Sequence, residues 1–304
     1  MRRLTRPIPW EGSDLGQRES WQHSLTSMER RELADAVAAS ADTPLSEISP
    51  STFPLDCLVP RLTQIREELH HGTGVAKLSG LPVTQWDEHK LQRAYIGLST
   101  FLGTPTVQNR GEDLLREIRD QSRIGGTRVD SADALNWHND RTDIVGLLCL
   151  SEAATGGVSR IASAIAIHNH LARADPESLR TLFGDFARYA PGDEVGGSAG
   201  IHYEPVFRYA DGTLSTHYSR TYIRQAAAQP DGTPLSQTQS AALDALVDAA
   251  ETLAFEMPLR AGEIQYLNNH AILHGRTAFS DQERHSRRLW RIWLSTHSGQ
   301  TWRS

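Results

Sequence analysis

The sequence predicts a mainly β protein with helical insertions, its core a jelly roll or related double-sheet barrel behind an N-terminal α/β layer. Past Gly103, short runs rich in β-branched and aromatic residues alternate with turn signals, which is the pattern of a double-sheet barrel. Only two stretches in that part, 175–186 and 238–254, carry helical periodicity. Before Gly103 the pattern differs, with amphipathic helical spacings flanking a single strand.

Residues 1–55 form a polar leader with one short helix, and 56–304 a single larger unit. In the leader, Thr26 and Glu29 make a capping box ahead of Leu33, Ala36 and Val37. Leu58, Leu62, Ile65 and Leu69 mark a helix over 56–71 that ends at Gly72 and Gly74. A strand follows from Gly74. Asp87 caps a helix burying Leu91, Tyr95, Leu98 and Leu102. Residues 110–135, with Gly125-Gly126, form a polar loop, and Ile144–Leu150 is a strand buried on both sides. Asp175-Pro176 opens a helix carrying Leu179, Leu182, Phe183 and Phe186, followed by a glycine-rich loop at 191–200. Asp211-Gly212 is the turn of a hairpin spanning Val206 to Ile223. A helix at 238–254, a strand at Ile264–Leu267 and a last strand at Leu289–Leu294 complete the order.

Composition narrows the function. No run of about 18 apolar residues exists to span a membrane, and no apolar signal segment follows the charged start. Two cysteines, Cys57 and Cys149, are too few for a disulfide framework; both are expected as buried thiols, in keeping with a reducing cytoplasm. Net charge is −6 with no dense basic run, which argues against a nucleic-acid partner. All but two of the 31 basic residues are arginine, so an arginine is informative only where something else fixes its position.

The chemistry concentrates in two segments. In Asn136-Trp-His-Asn-Asp140, His138 and Asp140 stand two apart, and in extended chain such residues share a face. Two histidines and one carboxylate make the facial triad of non-haem iron(II) oxygenases. His-x-Asp alone is common, so a distant histidine must complete it. Asn268-Asn-His-Ala-Ile-Leu-His-Gly-Arg276 offers His270 and His274. His274 is preferred: it follows the apolar pair Ile272-Leu273, and Gly275 permits close approach, whereas His270 sits in a turn. Farther on, Arg287 and Arg291 share a face of the last strand, with Arg288 on the other. A guanidinium in an apolar strand calls for a carboxylate, which a bound keto acid would supply.

Trp137-His-Asn-Asp, Val145-Gly-Leu-Leu-Cys-Leu, Thr155-Gly-Gly-Val-Ser-Arg-Ile, Leu273-His-Gly-Arg-Thr-Ala-Phe and Arg287-x-x-x-Arg291, in this order, resemble the taurine dioxygenase (TauD/TfdA) family; Gly72–Pro82 and Gly103–Gln108 agree with it too. The resemblance covers about residues 60–296. It implies a double-stranded β-helix fold, Fe(II), and 2-oxoglutarate and oxygen as cosubstrates. Carried over by motif, His138, Asp140 and His274 bind iron. Arg287 pairs with the distal carboxylate of 2-oxoglutarate, with Arg288 as its rival, Ser159 donates to the same carboxylate, and Arg291 lies near the keto acid or the substrate. Asp140 argues against halogenation, because related halogenases lack this carboxylate. Gly262-Glu263 departs from an expected Gly-Asp in a turn remote from the metal motif.

Substrate residues are expected on the second hairpin strand, where alternation sets His217 opposite Tyr218, Arg220 and Tyr222, with the 110–135 and 191–204 loops beside it. The expected substrate is a small molecule, oxidised at an unactivated C–H bond. A zinc hydrolase or a non-catalytic jelly-roll binding protein are the competing readings, and a homo-oligomer is left open.

Overall fold

The structure, a computed structural model, describes residues 4–5, 7–108, 113–121, 131–190, 200–210, 212–282 and 286–296. Two facing β-sheets form its centre. The larger has seven strands: Gln22–Ser24, Val75–Ser79, Ile264–Asn268, Ile144–Ser151 and Arg288–Ser295 lie side by side, and Arg288–Ser295 also pairs with both Thr104–Thr106 and Leu115–Ile118. The smaller has four, in the order Phe255–Met257, Ser159–Ser163, Ile272–Arg276, Leu135–His138. Val75, Val145 and Leu267 of the larger sheet meet Ile161, Met257 and Ile272 of the smaller in a core between them, joined by Trp10 and Trp21 from the N-terminal segment.

The period-2 alternation of strands gives each sheet a second apolar face. Tyr266, Leu148, Trp290 and Ile292 point outward from the larger sheet onto helices Val59–His71 and Glu88–Thr100. Trp137, Ala162 and Leu273 point outward from the smaller sheet onto helices Ala164–Ala174, Pro176–Leu182 and Gln237–Leu253. The strand Ile144–Ser151 is thus buried on both sides as its continuous apolar run predicts. Fully burying one such Leu or Ile stabilises by about 1.5–3 kcal/mol. This is the expected mainly β jelly roll with helical insertions.

Local signals placed most elements. Thr26 accepts from the Glu29 N–H and the Glu29 carboxylate accepts from the Thr26 N–H, closing the capping box of helix Ser27–Ala39. Asp87 accepts from the Lys90 N–H. Pairing of Ala210 with Thr213 closes the hairpin over two residues, with Gly212 at φ +78.

Several expectations need correction. The polar segment 110–135 contains a strand, Leu115–Ile118, docked on the last strand. Phe186 is not helical: the helix stops at Leu182, and Phe186 sits in the strand Asp185–Ala190. Cys149 is buried, but Cys57 is exposed. The hairpin strand ends at Thr216, and Arg220 opens a helix, Arg220–Ala227, so Arg220 and Tyr222 do not alternate along a strand. Gly125-Gly126, residues 191–199 and Asp211 lie outside the described residues. No helix of the described residues is long and apolar enough to cross a membrane.

Candidate metal centre

His138 and His274 lie directly opposite each other on neighbouring antiparallel strands, with ring centroids 4.4 Å apart. The same alternation that turns Trp137 and Leu273 outward turns both imidazoles into the space between the sheets. Gly275 lets the strands approach, since a Cβ there would come 2.7 Å from the Leu135 carbonyl oxygen. Asp140, just past the strand end, brings its Oδ2 to 3.7 Å from His274 Nε2. One ligand atom from each of His138, Asp140 and His274 falls within 4.8 Å of the others. His270 stays in the turn, bonded through Nε2 to Asp143 Oδ1 at 2.8 Å.

Two buried asparagines hold this geometry. The Asn139 side chain donates to the carbonyls of Asn269 and Ile272 and accepts from the Tyr218 N–H. Asn269 accepts from the Asp140 N–H at 2.9 Å and donates to the carbonyls of Asp140 and Thr142. The loop carrying Asp140 is thereby fastened to the turn that precedes His274.

The donor set suits a divalent cation. Burial first, and then the neighbouring His274, lower the His138 pKa to about 4, so its imidazole is neutral. Its Nδ1 lies 2.8 Å from the Asn136 carbonyl, which assigns the proton there and leaves Nε2 as the lone-pair donor. Burial alone would raise the Asp140 carboxyl; Arg291, then His274, outweigh it and hold it well below the usual carboxylate range. Two imidazoles and a carboxylate on one side of an ion leave its other positions open.

The same pocket is lined by Ser159, Arg276, Arg287 and Arg291. Arg287 is 6% exposed, and its Nη1 is buried without a hydrogen-bond partner among the described residues. Burial, and next the adjacent Arg276, pull the Arg287 pKa down to about 10. An uncompensated buried guanidinium is costly, so the pocket fits an anion. Arg288 points the other way, bonded to Glu88 and Glu117. Arg291 donates through Nη1 to Asp140 Oδ1 at 3.0 Å.

The four residues expected on the hairpin strand scatter. Tyr218 is buried in the core behind the smaller sheet, and Arg220 pairs with Asp244 at 2.5 Å. His217 Nδ1 lies 2.7 Å from Glu204 Oε1, beside fully buried Arg188. Tyr222 lies within the charge field of Asp140, which after burial is the next cause of its raised pKa. Arg276 and Gln108 went unassigned in the sequence. For Arg276 a signal existed: it stands two after His274 on the same strand face. Its Nη2 donates to the carbonyls of Ser131 and Asp133. Gln108 bonds Arg291, and nothing local marks it.

The model of the family described as "Taurine catabolism dioxygenase TauD, TfdA family" matches residues 41–293. FR-33289 synthase of Streptomyces rubellomurinus is 28% identical over 306 residues, covering 95% of this chain and 89% of the relative. The taurine hydroxylase-like protein SAT17 of Stachybotrys chartarum is 28% identical over 303 residues, covering 91% of this chain and 75% of its own. Among solved structures, asparagine oxygenase in complex with Fe(II), 2S,3S-3-hydroxyasparagine and succinate superposes with TM-score 0.71 at 16% identity, covering 90% of this chain and 94% of that one. The non-heme iron oxygenase OrfP in complex with Fe and alpha-ketoglutaric acid gives 0.67 at 16%, covering 90% and 93%. These likenesses establish the jelly-roll fold. Together with the triad, the family match supports an iron oxygenase, and neither a zinc hydrolase nor a non-catalytic binding protein. The chain belongs to the TauD/TfdA family of non-haem iron, 2-oxoglutarate-dependent dioxygenases.

Proposed function

We propose that this dioxygenase hydroxylates an unactivated C–H bond of a small molecule in specialised metabolism, in the cytoplasm, with His138, Asp140 and His274 as its iron ligands. Desaturation, epimerisation or ring formation are variants of the same start. The observation that carries the residue assignment is the pairing, in one pocket, of a metal-competent triad with the unpartnered Nη1 of buried Arg287. When bound, iron and the keto acid supply the oxidant for the C–H bond, 2-oxoglutarate and oxygen becoming succinate and carbon dioxide.

The chain's own residues divide the remaining work. His138 presents a neutral nitrogen because burial disfavours its charged form, and His274 faces it from the neighbouring strand. Arg287 receives the distal carboxylate of 2-oxoglutarate, and the hydroxyl of Ser159 donates to it. Leu135, Val145 and Leu147 wall the pocket against water. Tyr222, half-buried near Asp140, is the best-supported substrate contact of the hairpin set. Relatives named as a synthase and a taurine hydroxylase-like protein support the metabolic role.

Anaerobic absorption spectroscopy tests the assignment. Purified protein with Fe(II) and 2-oxoglutarate is expected to show a weak visible charge-transfer band, lost in His138→Ala. Folded wild-type protein that shows no band at saturating ligands would sink it.

A further inference from the structure

The Asp140 carboxylate has two oxygens with different surroundings. Oδ2 faces the triad, 3.7 Å from His274 Nε2, while Oδ1 accepts from Arg291 Nη1 at 3.0 Å. Arg291 is itself held. Its Nε donates to Gln108 Oε1 at 2.8 Å, and its guanidinium lies 4.6 Å from the ring centre of Trp293. The Gln108 amide has only one workable orientation. Its Nε2 donates to the carbonyls of Leu114 at 2.9 Å and Arg291 at 2.8 Å, so turning the amide over would oppose donors to the guanidinium and oxygen to both carbonyls. All three side chains are buried, with Gln108 and Arg291 6% exposed and Asp140 9%. At such depth a polar chain of this kind fixes geometry tightly.

We infer that Gln108 is a positioning residue which, through Arg291, keeps Asp140 bound to the metal by one oxygen only. This rests on the iron reading above. The consequence is one of coordination number. An octahedral ion held by three protein atoms keeps three positions, two for a chelating keto acid and one for oxygen. If Asp140 gripped with both oxygens, one of those positions would be lost. Arg291 prevents this by occupying Oδ1, and Gln108 prevents Arg291 from swinging away, since an arginine without its Nε anchor regains much of its rotamer freedom. Gln108 touches neither metal nor keto acid in this scheme. It acts from the strand-end at Thr104–Thr106, which the sheet docks beside Trp293.

The test uses the full chain loaded with Fe(II) under anaerobic conditions, and reads 2-oxoglutarate affinity from the growth of the charge-transfer band. Iron affinity and melting temperature are measured alongside. Gln108→Met has nearly the same shape without the hydrogen bonds. It is expected to bind iron within about twofold of wild type and 2-oxoglutarate about tenfold more weakly, the scale of one hydrogen bond to a charged group. In an Arg291→Lys background, Gln108→Met should add no further loss, because its partner is gone. Should Gln108→Met not fold, Gln108→Ser, too short to reach Arg291, takes its place with the same expectation. Wild-type 2-oxoglutarate affinity in Gln108→Met, or losses that simply add in the double variant, overturn the inference while the iron reading stands. A wild-type chain without the band removes the iron reading and this inference together.

Discussion

Gly157 and Arg287 stand so close that no side chain fits between them: a Cβ on Gly157 would lie 2.9 Å from both Cδ and Nε of Arg287. Gly157 also has φ +70, in the left-handed region. Gly157 therefore sets the path along which the Arg287 side chain runs. Gly157→Ala should cost about 1–2 kcal/mol of stability from backbone strain alone. It should also displace Arg287 and weaken 2-oxoglutarate binding by about tenfold or more, with iron affinity unchanged. Keto-acid titration of the iron-loaded variant checks this.

Arg287 and Arg288 are neighbours in sequence with opposite fates. Arg287→Ala removes the buried guanidinium and is expected to raise the 2-oxoglutarate dissociation constant about ten- to a hundredfold. Arg288→Ala breaks bonds to Glu88 and Glu117 on a side chain 32% exposed, and should change stability by no more than about 1 kcal/mol. The same titration, run on both variants, separates them. An equal effect of the two would contradict the assignment.

Asn269 is fully buried and bonds three backbone groups of the Asp140 loop. Asn269→Ala strands one N–H and two carbonyls, at about 1–3 kcal/mol each where water cannot reach them. A loss of about 3 kcal/mol or more in urea unfolding of the metal-free protein is expected, together with weaker iron binding. Asn268→Ala, at a residue only partly buried, serves as the control.

His217 should make stability depend on pH. Burial, then Arg188, lower its pKa from 6.5 to about 4, against the opposing pull of Glu204. As pH falls the unfolded chain takes up this proton first, so the contribution is complete above about pH 6.5 and is lost as pH drops toward 4. Between pH 7.5 and 5, wild type should lose about 2 kcal/mol more than His217→Gln. Urea unfolding at the two values measures the difference. Identical pH slopes would place His217 outside the linkage.

Alternation made most of the site legible. His138 with Asp140, and Arg287 with Arg291, sit two or four apart on extended chain, and their faces follow from that spacing. The distant partner His274 was legible because apolar Ile272-Leu273 and Gly275 mark a buried, closely approached strand. Other features escaped for physical reasons. The helix at Arg220–Ala227 starts after Ser219 without a side-chain cap, so nothing interrupts the strand-like run from Thr213. Leu115–Ile118 is only partly buried, and its partner lies far along the chain, so its polar sequence carries no strand pattern. Phe186 keeps helical spacing with Leu179, Leu182 and Phe183, yet the helix caps at Phe183 and the chain turns at Gly184 into a strand. Cys57 stands between buried Leu55 and Leu58 but faces solvent, because its backbone N–H is turned to the Glu32 carboxylate at the start of a helix.

The direct pairing of His138 with His274 joins a strand from the middle of the chain to one near its end. A ribosome that has released only the first of these has made two ligands and no centre. Arg287 and Arg291 emerge later still, on the final strand. The candidate metal site therefore assembles only once the two sheets that flank it have closed.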